Sequence, residues 1–234
     1  MRDAPTPESR PYVHINCAVS LDGRLAFAGG RRAALSGPQD LARVQRLRAE
    51  LGAVLVGVGT VILDDPSLRI HWELLHRPPG PPPVRICLDG RGRLPATARL
   101  LDGSQPTIVG TTEAAKRTYP ATVETIVAGP GPEVDLPRFL AALRARGLPR
   151  LLVEGGAHVI ASFLRAGLVD RMTVYVAPVL IGGETAPSLM AGPESHSSND
   201  WVELLRESVE ALDDGVLISL LPRDGASPPP PAPL

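Results

Sequence analysis

Apolar and polar positions alternate along this chain in short blocks that read as strands and helices taking turns. Residues 12–19 (YVHINCAV) and 53–59 (AVLVGVG) are short and almost wholly apolar, as strands covered on both faces should be. Residues 84–89 (VRICLD), 106–111 (PTIVGT), 124–129 (ETIVAG), 150–156 (RLLVEGG) and 171–178 (RMTVYVAP) repeat the theme with β-branched residues. The segments between them have helical period. In 39–51 one stripe holds Leu41, Val44, Leu47, Arg48 and Leu51; Pro38 suits a first helical turn, and Ser36 is close enough to cap it. Residues 136–146 form an amphipathic helix ended by Gly147, and 157–167 a second that follows two glycines and closes on Gly167. The last apolar pieces, 201–205 and 216–221, flank LDDG and predict a hairpin. This alternation predicts an α/β fold with a mostly parallel central sheet, helices on both faces and an antiparallel C-terminal edge.

Residues 1–10 and the tail 223–234, which ends SPPPPAPL, have little to bury and are expected to be disordered, leaving 11–222 as a single domain. The proline run RPPGPPP at 77–83 reads as a surface loop, because strands of one style continue on both sides. Composition narrows the function. With 44% hydrophobic residues over 234 positions the chain can bury a full core, and a net charge of −1 argues against a nucleic-acid partner. No apolar run reaches a membrane span and the first residues lack a signal-peptide core, so a cytoplasmic protein without a membrane partner is the expectation. Cys17 and Cys87 are the two cysteines, both inside strands, and read as inert core thiols. His71, His76 and His158 show no ligand spacing, so no metal is expected.

Three loops could carry chemistry. LVEGGAH ends a strand in two glycines just before a helix, which either makes a tight turn or brings free backbone N–H groups against a phosphate. VGVGTVILDDP (56–66) puts Thr60 and Asp64 near a strand's carboxyl end, where open α/β sheets bind ligands; its bland reading is a loop closed by an Asp65–Pro66 turn. SLDGRLA (20–26) is either a turn or a mobile loop closing over a substrate. Neither G-x-G-x-x-G nor G-x-x-x-x-G-K-[ST] nor G-x-S-x-G occurs, which disfavours the standard nucleotide folds and a nucleophile elbow.

SLDGRLA (20–26), LRAELGAVLVGVGTVILDDPSLRIH (47–71), VRICLDGRGRLP (84–95) and LLVEGGAHVIASFLRAGLVDRMTVYVAPVLIGG (151–183) together resemble the riboflavin-pathway pyrimidine reductases. The resemblance spans about residues 10–220, and the combination of GxGTVxxDDP, VEGG and APxxxGG is specific where no single motif is. It implies a dihydrofolate-reductase-like fold, NADPH as cofactor with NADH as the alternative, a pyrimidine nucleotide substrate and a homodimer. By position, Thr60 and Asp64 match contacts to the nicotinamide half of the cofactor and the reaction centre, and Ala18 matches another cofactor contact. Gly155, Gly156, Ala157 and His158 match the pyrophosphate loop. Leu88, Asp89, Gly90 and Arg91 match the segment near the adenosine 2′-phosphate, where the family commonly has Asp-Ser and this chain has Asp89–Gly90; Arg91 and Arg93 could supply the charge instead.

The resemblance also implies a substrate. The chain carries no H-x-E…P-C-x-x-C deaminase signature, which leans toward the stand-alone type acting on 2,5-diamino-6-(ribosylamino)-4(3H)-pyrimidinone 5′-phosphate. Asn16 leans the same way: the fused enzymes typically carry Lys there, which can only donate, whereas Asn can also accept from an exocyclic amine. His71 stands where the fused enzymes have Arg. Hydride would pass to C1′ of the opened ribosylamino group, with Asp64 and Glu154 as the catalytic pair and Asn16, Arg48, Leu68, His71 and Glu154 on the substrate. Arg48 and His71 would hold the 5′-phosphate. Around Arg31–Ala34 the match is poor and assigns no contact. The alternatives are the deaminated uracil analogue, a pteridine-type substrate, and a non-catalytic nucleotide-binding relative or deaminase subunit.

Overall fold

The structure is a computed structural model that describes residues 9–193 and 195–223. Nine strands appear among those residues: β1 (Tyr12–Ser20), β2 (Ala53–Gly57), β3 (Val84–Leu88), β4 (Thr107–Thr111), β5 (Val123–Val127), β6 (Arg150–Gly155), β7 (Arg171–Ala177), β8 (Leu204–Leu212) and β9 (Gly215–Pro222). They form one sheet in the order β5-β4-β3-β2-β6-β1-β7-β9-β8. Every pairing from β5 to β7 is parallel, and β9 pairs antiparallel with both β7 and β8. This is the α/β class that the alternation predicts. Parallel neighbours need crossovers; four connections run through α1 (Pro38–Leu51), α2 (Val58–Asp64) with the segment after it, α3 (Leu136–Ala145) and α4 (Ala157–Arg165), while β3 to β4 and β4 to β5 are joined without an α-helix.

Helices cover both faces. Phe139, Leu140 and Leu143 of α3 and Ile160 and Phe163 of α4 bury Val13, Ile15, Leu55 and Val153 on one side. Leu51 of α1 and Val58 and Val61 of α2 bury Val54, Val56 and Leu152 on the other. The proline-rich segment is exposed over 77–82, and β3 beyond it pairs directly with β2 before it.

Several local expectations change. Ser36 caps nothing: α1 starts from Gly37, and the Asp213 carboxylate in the β8–β9 turn accepts from the N–H groups of Gln39 (3.1 Å) and Asp40 (3.0 Å). A Cβ on Gly37 would sit on that carboxylate. The α1 stripe is also different: Leu41 is exposed, and Asp40 and Gln45 are buried with Leu51. The reason is that α1 meets polar groups on β1, so the face that packs is polar too. The apolar run 53–59 does not stay a strand, because the backbone turns into α2 after Gly57. The first hairpin strand covers Leu204–Leu212, not 201–205; as an edge strand it is largely exposed and carries few apolar signals. Of the expected mobile ends, 1–8 and 224–234 lie outside the described residues. Arg10 is buried and pairs with Asp170 through Nη1 (2.5 Å) and Nη2 (2.9 Å).

Candidate active site

A cleft of about 1550 Å³ runs across the carboxyl ends of β1, β2, β3 and β6. Its middle is made where β2 and β6, neighbours in the sheet, each end in glycine and turn into a helix. Gly57 starts α2 and Gly156 starts α4, and the two starts are packed so closely that a Cβ on Gly57 would strike Val159. The Gly156 N–H donates to the Thr60 hydroxyl oxygen at 3.0 Å, tying one start to the other and leaving the hydroxyl hydrogen to point elsewhere. Gly155 sits at φ +111°, a conformation that side chains rarely adopt, and the Gly155–Gly156 peptide is cis. No side chain caps α4, so its first N–H groups, at Ala157 and His158, open on the cleft.

Thr60 and Asp64 are four residues apart on α2, hence one above the other on the same face. Asp64 lines the cleft, and its carboxylate has no hydrogen-bond partner among the described residues. Partial burial pushes its pKa up, opposed by the Arg32 cation. Glu154 lines the same floor, and Arg48 of α1 holds it in a fork, Nε to Oε1 and Nη2 to Oε2, both at 2.7 Å. Burial works against the Arg48 charge, but the Glu154 carboxylate outweighs it and holds the guanidinium pKa above its ordinary value.

The near wall is a pair of loops bound to each other. Asp22 accepts from the Ser20 hydroxyl (2.6 Å) and from the N–H groups of Ile181 (3.0 Å) and Gly182 (2.7 Å), which lowers its pKa to about 2. SLDG and IGG are therefore one structural unit. It carries Arg24, whose guanidinium donates to the Ala186 carbonyl at 3.0 Å. The far end is formed by Leu88, Gly90, Arg91 and Arg93.

The cleft thus gathers Asn16, Ala18, Thr60, Asp64, Leu88, Gly90, Arg91, Glu154, Gly155, Gly156, Ala157 and His158, as the sequence reading grouped them. Four residues of that reading are elsewhere. Asp89 is fully buried, and its carboxylate accepts from the N–H groups of Arg93 (2.8 Å) and Leu94 (2.7 Å) and from the Tyr119 hydroxyl (3.0 Å). It shapes the loop after β3 and has no face left for a cofactor. Leu68 is core. The His71 ring is exposed and bonded to Glu73 at 2.9 Å, outside the cleft lining. Arg48 also lies outside the lining, spent on Glu154 and the Arg69 carbonyl (2.6 Å). Asn16 lines the cleft but is committed differently from what a donor-and-acceptor amide would offer. Its Oδ1 already accepts from Arg43 Nη2 (2.7 Å) and the Thr173 hydroxyl (2.8 Å), which fills both lone pairs, so it cannot accept from a substrate amine.

Sequence reasoning missed Arg24, Arg32 and the Arg43–Thr173 pair. The available signal was chemical: polar His14 and Asn16 inside a strand buried on both faces must have partners. Cys17 and Cys87 are buried free thiols, and burial raises the Cys17 pKa to about 12. Among the described residues no cluster of His, Cys, Asp or Glu is fit to hold a metal, and no helix is long and apolar enough to cross a membrane.

A family model described as the RibD C-terminal domain matches residues 11–218. The chain belongs to that family. It is 37% identical over 213 residues to the 2,5-diamino-6-ribosylamino-4(3H)-pyrimidinone 5′-phosphate reductase of Methanothermobacter thermautotrophicus, covering 89% of this chain and 97% of the relative. The enzyme of the same name from Archaeoglobus fulgidus is 38% identical over 218 residues, covering 90% and 97%. Among solved structures, the diaminohydroxyphosphoribosylaminopyrimidine deaminase/5-amino-6-(5-phosphoribosylamino)uracil reductase of Thermotoga maritima superposes with a TM-score of 0.79 at 27% identity. That match covers 92% of this chain and 57% of the solved one, so the chain spans little more than half of that longer protein.

The cleft suits what this family would hold. A dinucleotide needs an extended groove, bare backbone near its pyrophosphate and cations near an added phosphate. Gly155–Gly156 with the open α4 start, and Arg91 with Arg93, have that chemistry. Gly90 has no room to become the family's serine, because a Cβ there would fall on the Pro132 carbonyl oxygen.

Proposed function

We propose that this protein is the NADPH-dependent reductase of 2,5-diamino-6-(ribosylamino)-4(3H)-pyrimidinone 5′-phosphate in riboflavin biosynthesis, converting the ribosylamino group to ribitylamino. The observation that carries the reading is the join at the carboxyl ends of β2 and β6, where two helix starts, Thr60, Asp64 and Glu154 meet in one cleft. The names of the archaeal relatives support the choice of substrate.

In this reading the backbone of Gly155, Gly156, Ala157 and His158 receives the pyrophosphate, and Ala18 and Thr60 flank the nicotinamide. Leu88 and Gly90 line the adenosine end, where Arg91 and Arg93 pair with the 2′-phosphate. A reduced nicotinamide, when bound, supplies the hydride. The chain then has to hold donor and acceptor in contact, exclude water and steady the positive charge that grows on the substrate as its ring opens. Asp64 has a carboxylate free to do so; Glu154, fixed by Arg48, contributes negative charge at the floor. Arg32 and Arg24, the cations that line the near wall, take over from Arg48 and His71 as partners for the 5′-phosphate. We further infer a cytoplasmic homodimer.

The test is purified protein with NADPH and each pyrimidine phosphate, followed by loss of reduced-nicotinamide absorbance. Oxidation with the diamino compound, faster than with the uracil analogue, is the expected result. Faster oxidation with the uracil analogue would move the substrate to the deaminated compound. No oxidation with either would favour a non-catalytic binding protein.

A further inference from the structure

Behind Asn16 lies a chain of buried polar groups that fixes every hydrogen along it. Arg43 of α1 is held by Asp40, which is 1% exposed, through Nε (2.9 Å) and Nη2 (2.6 Å). The same Nη2 lies 2.7 Å from Asn16 Oδ1. A guanidinium can only donate, so the Asn16 atom facing it must be the oxygen. That oxygen is also 2.8 Å from Thr173 Oγ1, and since neither an amide oxygen nor Arg43 can supply a hydrogen to that contact, the threonine must. Thr173 Oγ1 is 3.0 Å from His14 Nε2 and has its hydrogen committed, so His14 donates from Nε2. Burial, with the Arg171 and Arg43 cations nearby, lowers the His14 pKa to about 3 and keeps the ring neutral.

Both lone pairs of Asn16 Oδ1 are thus used by the protein, while its amide nitrogen has no protein partner among the described residues. Asn16 lines the cleft, and that nitrogen is not sealed from solvent. We propose that Arg43, with Thr173 and His14, acts as a positioning device that presents Asn16 to the ligand solely as a hydrogen-bond donor, so that the heterocycle edge docked there carries an acceptor, a ring carbonyl oxygen. This rests on the proposed function, since it concerns the pyrimidinone end of that substrate. It also means that Asn16 reads a carbonyl that the diamino compound shares with its uracil analogue, and leaves the choice between them to other residues.

Substituting Asn16→Asp inverts the group: Arg43 pairs with one oxygen and the other faces the cleft as an acceptor. The expected result is a rise in KM of about tenfold or more for both pyrimidines, with the NADPH Kd within about threefold of wild type, the size of one lost bond to a buried polar partner. Arg43→Met frees the amide to rotate and should raise KM several-fold with little change in kcat, and Arg43→Lys, which keeps a donor, should recover much of it. Selective retention or tightening of the diamino compound by Asn16→Asp would overturn the proposal, because Asn16 would then be accepting from an amine. A second measurement does not depend on the variants folding. In the ¹⁵N-labelled wild type, the Asn16 amide protons should exchange freely and become protected when the pyrimidine binds. Protection in the free protein would overturn the proposal. If the wild type oxidises NADPH with neither pyrimidine, the function reading fails, and amide exchange in the free protein still decides how Asn16 is oriented.

Discussion

Arg48 and Glu154 face each other across α1 and β6 as a matched fork, both guanidinium–carboxylate contacts at 2.7 Å and both side chains nearly buried. The pair anchors a cleft carboxylate to a helix whose start is itself capped from the opposite end of the sequence by Asp213. Arg48→Ala should therefore leave Glu154 without a counter-charge and destabilise the fold by roughly 2–4 kcal/mol, measured by denaturant unfolding. The double variant Arg48→Met/Glu154→Leu should recover most of that stability and none of the turnover. If turnover survived in the double variant, Glu154 would have no part in the reaction.

Asp64 is held by no partner among the described residues, so its replacement should not disturb the fold. Asp64→Asn should lower kcat by about a hundredfold or more while NADPH affinity stays within about threefold, the split expected of a group that acts mainly in the transition state. Equal losses in both would place its role in cofactor binding alone.

At the far end of the cleft, Arg91 and Arg93 are cations exposed beside a glycine that cannot accept a hydroxymethyl group. Arg91→Ala combined with Arg93→Ala should cut kcat/KM for NADPH by about a hundredfold or more and leave that for NADH nearly unchanged, since charge-assisted bonds to a phosphate are each worth about 1.5–3 kcal/mol and two are removed. A parallel fall for both cofactors would remove these residues from 2′-phosphate recognition.

Acid should act through His14. Its folded pKa, about 3, lies below the ordinary value near 6.5, so between those values the unfolded chain binds more protons than the folded one. The stabilisation is complete above about pH 6.5 and is lost as pH falls toward 3. Lowering the pH from 7 to 4 should cost about 1–3 kcal/mol through this residue. His14→Gln, which can still donate to Thr173, should flatten the difference between the two pH values, read from paired unfolding curves. Identical pH dependence in both proteins would mean that His14 titrates normally.

The apolar blocks of the chain were enough to determine its run of strands, helices α1, α3 and α4, the parallel sheet and the antiparallel edge, because burial on both faces demands unbroken β-branched runs and crossover helices demand a stripe; α2 was hidden in a run that reads as a strand and a loop. Local chemistry went almost as far at the glycine pair: Gly155 and Gly156 between an apolar strand and an amphipathic helix are meaningful without coordinates. Thr60 and Asp64 were legible only as residues near a strand's carboxyl end; it is the helix α2 that puts them on one face. The remaining contacts depend on distance in the chain. Arg48 and Glu154 are separated by 106 residues, and Asn16 and Thr173 by 157. Asp213 caps Gln39 from 174 residues away. No local pattern distinguishes an arginine that meets a phosphate from one that meets a carboxylate, and none says which end of an asparagine amide points outward. Tertiary packing decided both, because a buried donor or acceptor must be matched and only the fold brings the match within reach.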